Sequence, residues 1–541
     1  MPTPPSRPGP PPRPGDPRRG GPPHRPPVRP GRASSADGPH LSRRGFLTAV
    51  GATLAGVGLI ALNPFGGGES DVPSVRVLPG AASPPDAATH TFDTVIRNGR
   101  VMDPESKFDA VADVGIDGGT VTAITAGGSA LRGGVVVDAA GLVVAPGFID
   151  ILSYEPNEYG IWFKIADGVT TNLGLHGLRS RAVDYFDVWG SDTKRPPTHY
   201  GGAFSDPWSR STLGLGVDDP ASPEQIDALV KMCDEDLTGG YLAVDFEPEY
   251  TPGVAFDEIK ALTEVAKDHD VPATFHARYS DDVAPGTNAE ALSEVLHVAR
   301  ETGARVHVEH IISTGGTYTM QQSLETLEQA RKDGVQITAC TYPYDYWATY
   351  LASARFNDGW QERFHITYGD LAIVGTGERL TPATFARYQA KNALTAAYAI
   401  PEADVKASLQ ADWVMLGSDA ILEPGDKNHP RSTGCFARAI GRYTRDKKVL
   451  PLMDALAKAT ILPAKLTEGG ADAMRKKGRL QIGADADITV FDPKTLVDRS
   501  TIEAPGVESE GVRYVFVDGH VVRDPQGNRT SVRPGNAIVG S

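Results

Sequence analysis

The chain has 541 residues, enough for a large buried core, and 40% hydrophobic with 22% charged residues is the composition of a globular protein. The formal net charge is −15, but residues 1–44 carry nine arginines and two acidic residues, which leaves −22 for the rest of the chain. This acidic body argues against nucleic acid as a partner. The three cysteines, Cys233, Cys340 and Cys435, fit neither a disulfide framework nor a cysteine-rich zinc site.

The first segment differs from the rest of the chain in composition. Residues 1–41 are rich in proline and arginine, with fifteen prolines among the first forty residues and almost no large apolar side chain. Such a segment cannot bury enough apolar surface to offset the entropy of ordering it. We therefore predict a disordered tail over residues 1–41.

A twin-arginine sequence follows this tail. Arg43 and Arg44 precede an uncharged run at residues 48–62, a pattern typical of the Tat export signal of bacteria. The run is shorter than the roughly 20 residues of a membrane span, which favours a signal over an anchor. We predict a Tat-type signal at 42–66 and a linker at 67–91. The protein is then expected in the cell envelope or outside the cell. Membrane attachment is expected only through an uncleaved signal.

Strand patterns occur near both ends of the remaining chain. Four short β-branched runs separated by glycine turns lie within residues 92–145, and further runs of this kind lie within 478–535. Neither set is large enough to form a core of its own. We predict that the two segments together form a small β-sandwich.

The central part of the chain alternates between strand-like runs and helical patterns. Helical periodicity covers residues 223–235, 256–268, 289–302 and 320–333. This alternation predicts an α/β fold with parallel strands and helical crossovers, and at this length a (β/α)8 TIM barrel over residues 146–477. Aromatic and polar stretches without clear periodicity at about 346–412 predict an insertion that covers the barrel mouth.

Side chains that bind metals follow four of the predicted strands. His176, His276, His310 and Asp419 each end an apolar run, and the active site of a barrel lies at the carboxyl ends of its strands. Zinc prefers nitrogen and oxygen ligands of this kind, and a catalytic zinc needs three protein ligands and an open position. The sequence therefore predicts a zinc site at the barrel mouth.

Strand alternation adds two predictions about direction, because successive side chains of a strand point to opposite faces. Arg278 should share the inward face of His276. In the next strand His310 should point inward, whereas His307 and Glu309 should point outward, towards the helices.

The motifs of this region resemble those of a known enzyme superfamily. Residues 145–155 contain Pro-Gly-Phe-Ile-Asp and resemble the opening strand of the amidohydrolases, where a His-x-His pair follows; here those positions hold Leu152 and Tyr154. Further motifs follow in the order seen in N-acyl-D-amino-acid deacylases (D-aminoacylases). They are Gly168-Val-Thr-Thr, His276-Ala-Arg278, Thr341-Tyr-Pro-Tyr344, Gly417-Ser-Asp419 and His429-Pro-Arg431.

The resemblance implies a metal-dependent amide hydrolase. In the family a cysteine and two histidines hold a tight zinc, and the His-x-His pair with the aspartate holds a weaker second metal. His276 and His310 match the two histidines, and His176 lies at or beside the cysteine position. Because Leu152 and Tyr154 remove ligands of the second metal, we expect one zinc per chain.

The resemblance also implies roles for the surrounding residues. Asp419 would take a proton from the attacking water and later deliver it to the leaving amine. Tyr342 would stabilise the oxygen of the scissile carbonyl, and Arg431 would bind the α-carboxylate of the substrate. Tyr154 and Arg278 are further candidates for contact with the substrate.

The expected function is hydrolysis of an N-acyl (D-)amino acid, or a related carboxylate-bearing amide, by an exported enzyme with a single zinc. Two alternatives stay open: a catalytically impaired protein of the same fold that binds a ligand, or a hydrolase of a cyclic amide. In each case the partner is a small molecule. Ile312 and Ala348 replace a lysine and a small hydroxyl residue common in the family, so the substrate's identity is open.

Overall fold

The structure is a computed structural model that describes residues 87, 89–129, 131–283 and 286–541. The predicted tail (1–41), the predicted signal (42–66) and most of the predicted linker (67–91) lie outside the described residues. Within the described ranges, no helix is long and apolar enough to span a membrane.

The strands, in chain order, are β1 (Thr91–Asp103), β2 (Phe108–Asp117), β3 (Thr120–Ala126), β4 (Arg132–Asp138), β5 (Val143–Pro146), β6 (Phe148–Asp150), β7 (Val169–Gly174), β8 (His199–Gly202), β9 (Phe204–Ser205), β10 (Val244–Phe246), β11 (Ala273–Phe275), β12 (Val306–Val308), β13 (Ile337–Thr341), β14 (Trp347–Tyr350), β15 (Leu371–Ile373), β16 (Leu394–Ala397), β17 (Val414–Leu416), β18 (Ile488–Phe491), β19 (Val512–Val517), β20 (His520–Asp524) and β21 (Gly527–Asn528).

The α-helices are α1 (Gly160–Ala166), α2 (Ala182–Gly190), α3 (Asp206–Thr212), α4 (Pro223–Thr238), α5 (Phe256–Asp268), α6 (Asn288–Thr302), α7 (Met320–Lys332), α8 (Trp360–Arg363), α9 (Pro382–Gln389), α10 (Glu402–Gln410), α11 (Arg431–Arg438), α12 (Leu452–Ala459) and α13 (Ile461–Thr467). Four of them, α4 to α7, coincide closely with the helical patterns of the sequence.

The strands near the two ends of the chain form one nine-stranded sheet. The long strand β1 pairs with β2, β4 and β5, and β5 pairs in turn with β18, the first of the C-terminal strands. Val101 and Val114 from the first set pack with Ile488 and Phe516 from the second in one apolar core. Because this core takes side chains from both ends, neither segment completes it alone.

The central chain forms the predicted barrel of eight parallel strand positions. In order they are β6, β7, β8 with β9, β10, β11, β12, β13 and β17. The barrel closes between its last and first strands, where the Ser418 amide donates to Asp150 Oδ1 (3.0 Å) and the Asp419 amide donates to the Leu152 carbonyl (2.6 Å). The predicted TIM-barrel class is confirmed.

Helix boundaries follow from capping and from apolar spacing. Ser222 and Thr287 cap α4 and α6, each accepting a hydrogen bond from the backbone three residues on, within a capping box. In α5, Ile259, Leu262 and Ala266 recur at helical spacing and are buried. Apolar residues repeated at this spacing form the pattern from which these helices were predicted.

The segment between β13 and β17 has a small sheet of its own. Strands β14, β16 and β15 pair antiparallel, and aromatic rings pack beside them: Trp347, Phe356, Trp360, Phe364 and Phe385. Short strands and aromatic packing leave no long periodic run, which explains the weak pattern in this part of the sequence. A short 3₁₀ helix, Ala354–Phe356, carries Arg355 to the barrel mouth.

A buried ion pair stands at the seam where the barrel closes. Lys164 Nζ on α1 lies 2.8 Å from Asp150 Oδ2, and the two side chains are 2% and 0% exposed. The same ammonium donates to Ser418 Oγ at 2.6 Å. Lys164 therefore joins the first strand of the barrel to the loop after the last.

We predict that Lys164→Met lowers the free energy of unfolding by about 3–5 kcal/mol, because it leaves the Asp150 carboxylate buried without its partner. Urea denaturation measures the change. The matched control is Lys231→Ala, which removes an exposed lysine 3.9 Å from Glu235 and should stay within about 0.5 kcal/mol. Equal effects of the two substitutions would contradict the role of Lys164.

Candidate active site

Two histidines face each other at the mouth of the barrel. His276 follows β11 and His310 follows β12, and Nδ1 of His276 lies 3.1 Å from Nε2 of His310. Both side chains are buried, and burial lowers the pKa of each imidazole, which keeps the rings in the neutral form that binds metals. His310 has a positive φ of 25°, so the chain turns sharply where the strand ends.

The outer nitrogens of both rings already have partners. His276 Nε2 donates to Glu249 Oε2 at 2.6 Å, and His310 Nδ1 lies 3.3 Å from Thr314 Oγ1. Metal-binding histidines are commonly held through the second ring nitrogen in this way. The inner nitrogens are thus left to face one another.

This arrangement fits a zinc ion. Zinc binds histidine nitrogen at about 2.0–2.1 Å in tetrahedral geometry, which places two ligand nitrogens a little over 3 Å apart. One ligand atom each of His176, His276 and His310 lie within 4.8 Å of one another. The three predicted metal residues are therefore brought together, and small movements of the rings would let them share one ion.

The ring of His176 lies among carboxylates. Its Nδ1 is 2.8 Å from Glu309 Oε2, 3.6 Å from Asp245 Oδ1 and 3.9 Å from Glu247 Oε1. Burial would lower the pKa of His176, but Glu309 and Glu247 outweigh it and raise that pKa well above its ordinary value. Burial, with repulsion from Glu309, raises the pKa of Asp245 to about 6.

The predicted direction of Glu309 and His307 is wrong. Glu309 is fully buried against His176, and His307 Nδ1 lies 2.8 Å from Thr338 Oγ1 of the neighbouring strand β13. Val306 and Val308 instead belong to the apolar core shared with the helices. The three-residue strand β12 ends at Val308, so alternation counted back from His310 selects the wrong face.

Asp419 lies beside the histidine pair and binds two side chains. Its Oδ2 is 3.9 Å from His310 Nε2 and 2.6 Å from Nη2 of Arg431. Its Oδ1 accepts a hydrogen bond from the Tyr154 hydroxyl at 3.2 Å. Burial and the charge of Asp419 raise the pKa of Tyr154 well above its ordinary value, so the phenol keeps the proton that it donates.

Two buried donors near Asp419 lack a hydrogen bond of normal geometry within the described residues. They are Nη1 of Arg431 and the hydroxyl of Tyr342. The guanidinium of Arg431 also lies over the Tyr342 ring, 4.3 Å from its centre. Arg431 was predicted to bind a substrate carboxylate; it pairs with Asp419 and has one unpartnered nitrogen to offer.

The remaining predicted residues lie apart from this group or beneath it. Arg278 donates to both carboxylate oxygens of Glu294 and to the backbone carbonyls of Pro252 and Val254. With its guanidinium occupied there, the geometry gives it no contact with the histidine pair. Leu152 is 1% exposed and packs inside the barrel with Cys340 and other apolar residues.

The insertion also contributes to the site. Arg355 Nε donates to Glu249 Oε2 at 3.0 Å, and its Nη2 donates to the Ser313 carbonyl at 2.7 Å. Burial raises the pKa of Glu249, but Arg355 and the hydrogen bond from His276 outweigh it and lower that pKa to about 2. An arginine of the insertion thus acts on a metal-binding histidine through one carboxylate.

Sequence reasoning missed Arg355 and the acidic residues Asp245, Glu247, Glu249 and Glu309. A signal for three of them was present: Asp245-Phe-Glu247-Pro-Glu249 places carboxylates at alternate positions where a buried strand ends. Arg355 had no comparable signal, because its contact joins two segments about a hundred residues apart.

A parallel eight-stranded barrel with histidines after its fifth and sixth strands and an aspartate after its eighth defines a hydrolase of the amidohydrolase type. Residues 156–523 match the Amidohydrolase family, and the chain belongs to that family. It is a D-aminoacylase-like member, a hydrolase of carbon–nitrogen bonds other than peptide bonds.

The similar proteins include deacylases, three of which are described here. The N-acyl-D-glutamate deacylase of Alcaligenes xylosoxydans xylosoxydans is 30% identical, covering 83% of this chain and 96% of its own, and a D-aminoacylase of the same organism is 29% identical, covering 80% and 95%. The N-acyl-D-glutamate deacylase of Bordetella bronchiseptica, solved with zinc and a phosphonate mimic of the tetrahedral intermediate, is 27% identical with a TM-score of 0.72, covering 83% of this chain and 100% of its own.

We predict that Glu249→Gln weakens zinc binding about 10- to 100-fold, the usual effect of removing the outer partner of a histidine ligand. Competition with a chromophoric chelator measures the affinity. Glu294→Gln is the matched control, because it removes a carboxylate that pairs with Arg278. Unchanged zinc affinity in Glu249→Gln would show that Glu249 does not support His276.

Proposed function

We propose that this protein hydrolyses the amide bond of N-acyl D-amino acids or related carboxylate-bearing amides with the help of a single zinc ion. The observation that carries the proposal is the facing pair of His276 Nδ1 and His310 Nε2 at 3.1 Å, with Asp419 Oδ2 at 3.9 Å from the latter. His176 would supply the third ligand. When bound, zinc would polarise the scissile carbonyl and make a water molecule more acidic.

The side chains around the histidines suit the two proton transfers of amide hydrolysis. Asp419 would accept a proton from the attacking water and return it to the leaving nitrogen. Its carboxylate is oriented by Tyr154 on one oxygen and Arg431 on the other. The free hydroxyl of Tyr342 is a buried donor available to an oxygen that gains negative charge.

The substrate class is supported by the relatives and by one buried cation. Both curated relatives described above act, by their names, on N-acyl D-amino acids. Nη1 of Arg431 is buried without a partner, and such a nitrogen suits one oxygen of a carboxylate. Because Arg431 also holds Asp419, it would couple recognition of that carboxylate to the position of the base.

A second candidate is a ligand-binding protein with impaired catalysis. The observation in its favour is the 2.6 Å contact between Arg431 and Asp419, because an arginine so placed occupies a carboxylate oxygen that the attacking water would need. Hydrolysis of a cyclic amide by the same residues is a variant of the main proposal. Measured turnover separates the binding protein from both hydrolases.

We also propose that the protein is exported. The support is the twin-arginine pair Arg43-Arg44 ahead of the uncharged run at 48–62. On this proposal the barrel folds and takes up its metal before export, and the enzyme meets its substrate outside the cytoplasm.

We predict that protein reconstituted with zinc and then dialysed retains about one zinc per chain, and that His276→Ala or His310→Ala loses it. Inductively coupled plasma mass spectrometry gives the stoichiometry. Position 152 offers no ligand, so the His-x-His site cannot hold a second ion. Two zinc ions that survive dialysis, or none after reconstitution, would contradict the single-zinc proposal.

We predict that the zinc-loaded protein releases free amine from N-acetyl D-amino acids. Asp419→Asn should abolish this activity, and Tyr154→Phe should reduce kcat about 10- to 100-fold, as expected for the loss of a hydrogen bond to a charged group. A ninhydrin-type amine assay follows the release. A zinc-loaded wild type that binds these compounds without releasing amine would instead favour the binding protein.

A further inference from the structure

A group of carboxylates beside His176 has no part in the function proposed above. Asp245 lies in β10, Glu247 follows that strand, and Glu309 follows β12. All three carboxylates lie within 4 Å of a single atom, Nδ1 of His176, at 3.6, 3.9 and 2.8 Å. The second, fourth and sixth strands of the barrel, which are β7, β10 and β12, thus end near one point.

The atoms that surround this point are buried and lack hydrogen bonds. Nδ1 of His176, Oδ1 of Asp245 and both carboxylate oxygens of Glu309 have no partner of normal hydrogen-bond geometry. The side chains of these three residues are 5%, 1% and 0% exposed. Asp245 uses its other oxygen, Oδ2, to accept from the Gly177 amide at 2.8 Å. Nδ1 of His176 and Oε2 of Glu309 contact each other at 2.8 Å, but Oδ1 of Asp245 and Oε1 of Glu309 have no such contact. Buried polar atoms are normally satisfied, and these two oxygens indicate a missing ligand.

The charge at this point is also unbalanced. Two arginines lie nearby, but Arg355 pairs with Glu249 and Arg431 pairs with Asp419. The three carboxylates are left with one imidazole. With His176 protonated and all three carboxylates ionised, two negative charges would remain, and buried charges are costly unless they are paired, protonated or coordinated to a metal.

We propose that the carboxylates of Asp245, Glu247 and Glu309, beside Nδ1 of His176, form a second site, which binds a divalent cation with a preference for oxygen ligands. A carboxylate-rich set of this kind suits Mn²⁺, Mg²⁺ or Ca²⁺. Its ligands differ from the family's His-x-His pair, whose positions hold Leu152 and Tyr154 here, and the Tyr154 ring lies 5.5 Å from the His176 ring.

The two sites meet at His176 and differ in their ligands. A neutral imidazole has one nitrogen free to bind a metal, so Nε2 of His176 would serve the ion of His276 and His310 while Nδ1 keeps its proton beside Glu309. The histidine pair is a nitrogen site suited to zinc, and the carboxylate set is an oxygen site suited to harder ions. Cation binding at the carboxylate site is separate from amide hydrolysis and can be measured whether or not the protein turns over any substrate.

The test is a titration of the full-length, zinc-loaded protein with Mn²⁺, in which the electron paramagnetic resonance signal reports free Mn²⁺. We expect about one Mn²⁺ per chain in the wild type, with one zinc retained. Glu309→Gln and Asp245→Asn should weaken Mn²⁺ binding on the order of tenfold or more. The titration is done at saturating zinc, because Glu309 contacts the outer nitrogen of His176 as Glu249 contacts that of His276. His310→Ala should lose zinc and still bind Mn²⁺.

Glu294→Gln is the matched control, since it neutralises a carboxylate that pairs with Arg278, and its Mn²⁺ binding should equal that of the wild type. An unchanged far-UV circular dichroism spectrum in Glu309→Gln and Asp245→Asn shows that these variants have folded. Should Glu309→Gln fail to fold, the conservative Glu309→Asp replaces it, and Mn²⁺ should raise the Tm of the wild type more than that of the variant.

Two results would overturn the inference. One is a wild type that binds no Mn²⁺ when loaded with zinc, which would leave His176 as the sole countercharge of the cluster. The other is unchanged Mn²⁺ affinity in both Glu309→Gln and Asp245→Asn. Neither result bears on amide hydrolysis, which amine release tests separately.

Discussion

The site depends on a constraint of electrostatics: an ionisable group buried at the barrel mouth is stable only beside an opposite charge, a proton or a metal. Two of the acidic groups meet it with arginines, Glu249 through Arg355 and Asp419 through Arg431. His276 and His310 satisfy this constraint because burial lowers the pKa of each ring and keeps it neutral. The carboxylates near His176 have only that one imidazole within 4 Å as a positive partner, and the cation proposed above would satisfy the constraint there.

The same constraint links the insertion to the chemistry of the barrel. Arg355 comes from the segment between β13 and β17, and through Glu249 it fixes the ring of His276. A substitution in the insertion that displaced this arginine would therefore disturb the orientation of the His276 ring. The aromatic packing around Trp347, whose ring lies 4.6 Å from the Arg355 guanidinium, holds the arginine in place.

The sequence predicted the features that rest on local pattern. Helices such as α5 were found because their buried residues recur at helical spacing, and the histidines at strand ends were found because parallel strands end together. Glu309 was misplaced because a three-residue strand is too short for alternation to fix its face. Arg355 and the pairing of Arg431 with Asp419 depend on contacts between distant segments, which a single sequence does not display.

The nine-stranded sheet has a consequence for how the chain reaches its native state. Val143 of β5 pairs with Phe491 of β18, about 350 positions later, and the barrel lies entirely between them. Contacts so distant in sequence form slowly, and here they cannot begin until nearly the whole chain has left the ribosome. The nine-stranded sheet is therefore completed late in folding. An incomplete chain, however much of the barrel it contains, lacks the C-terminal strands that complete this sheet.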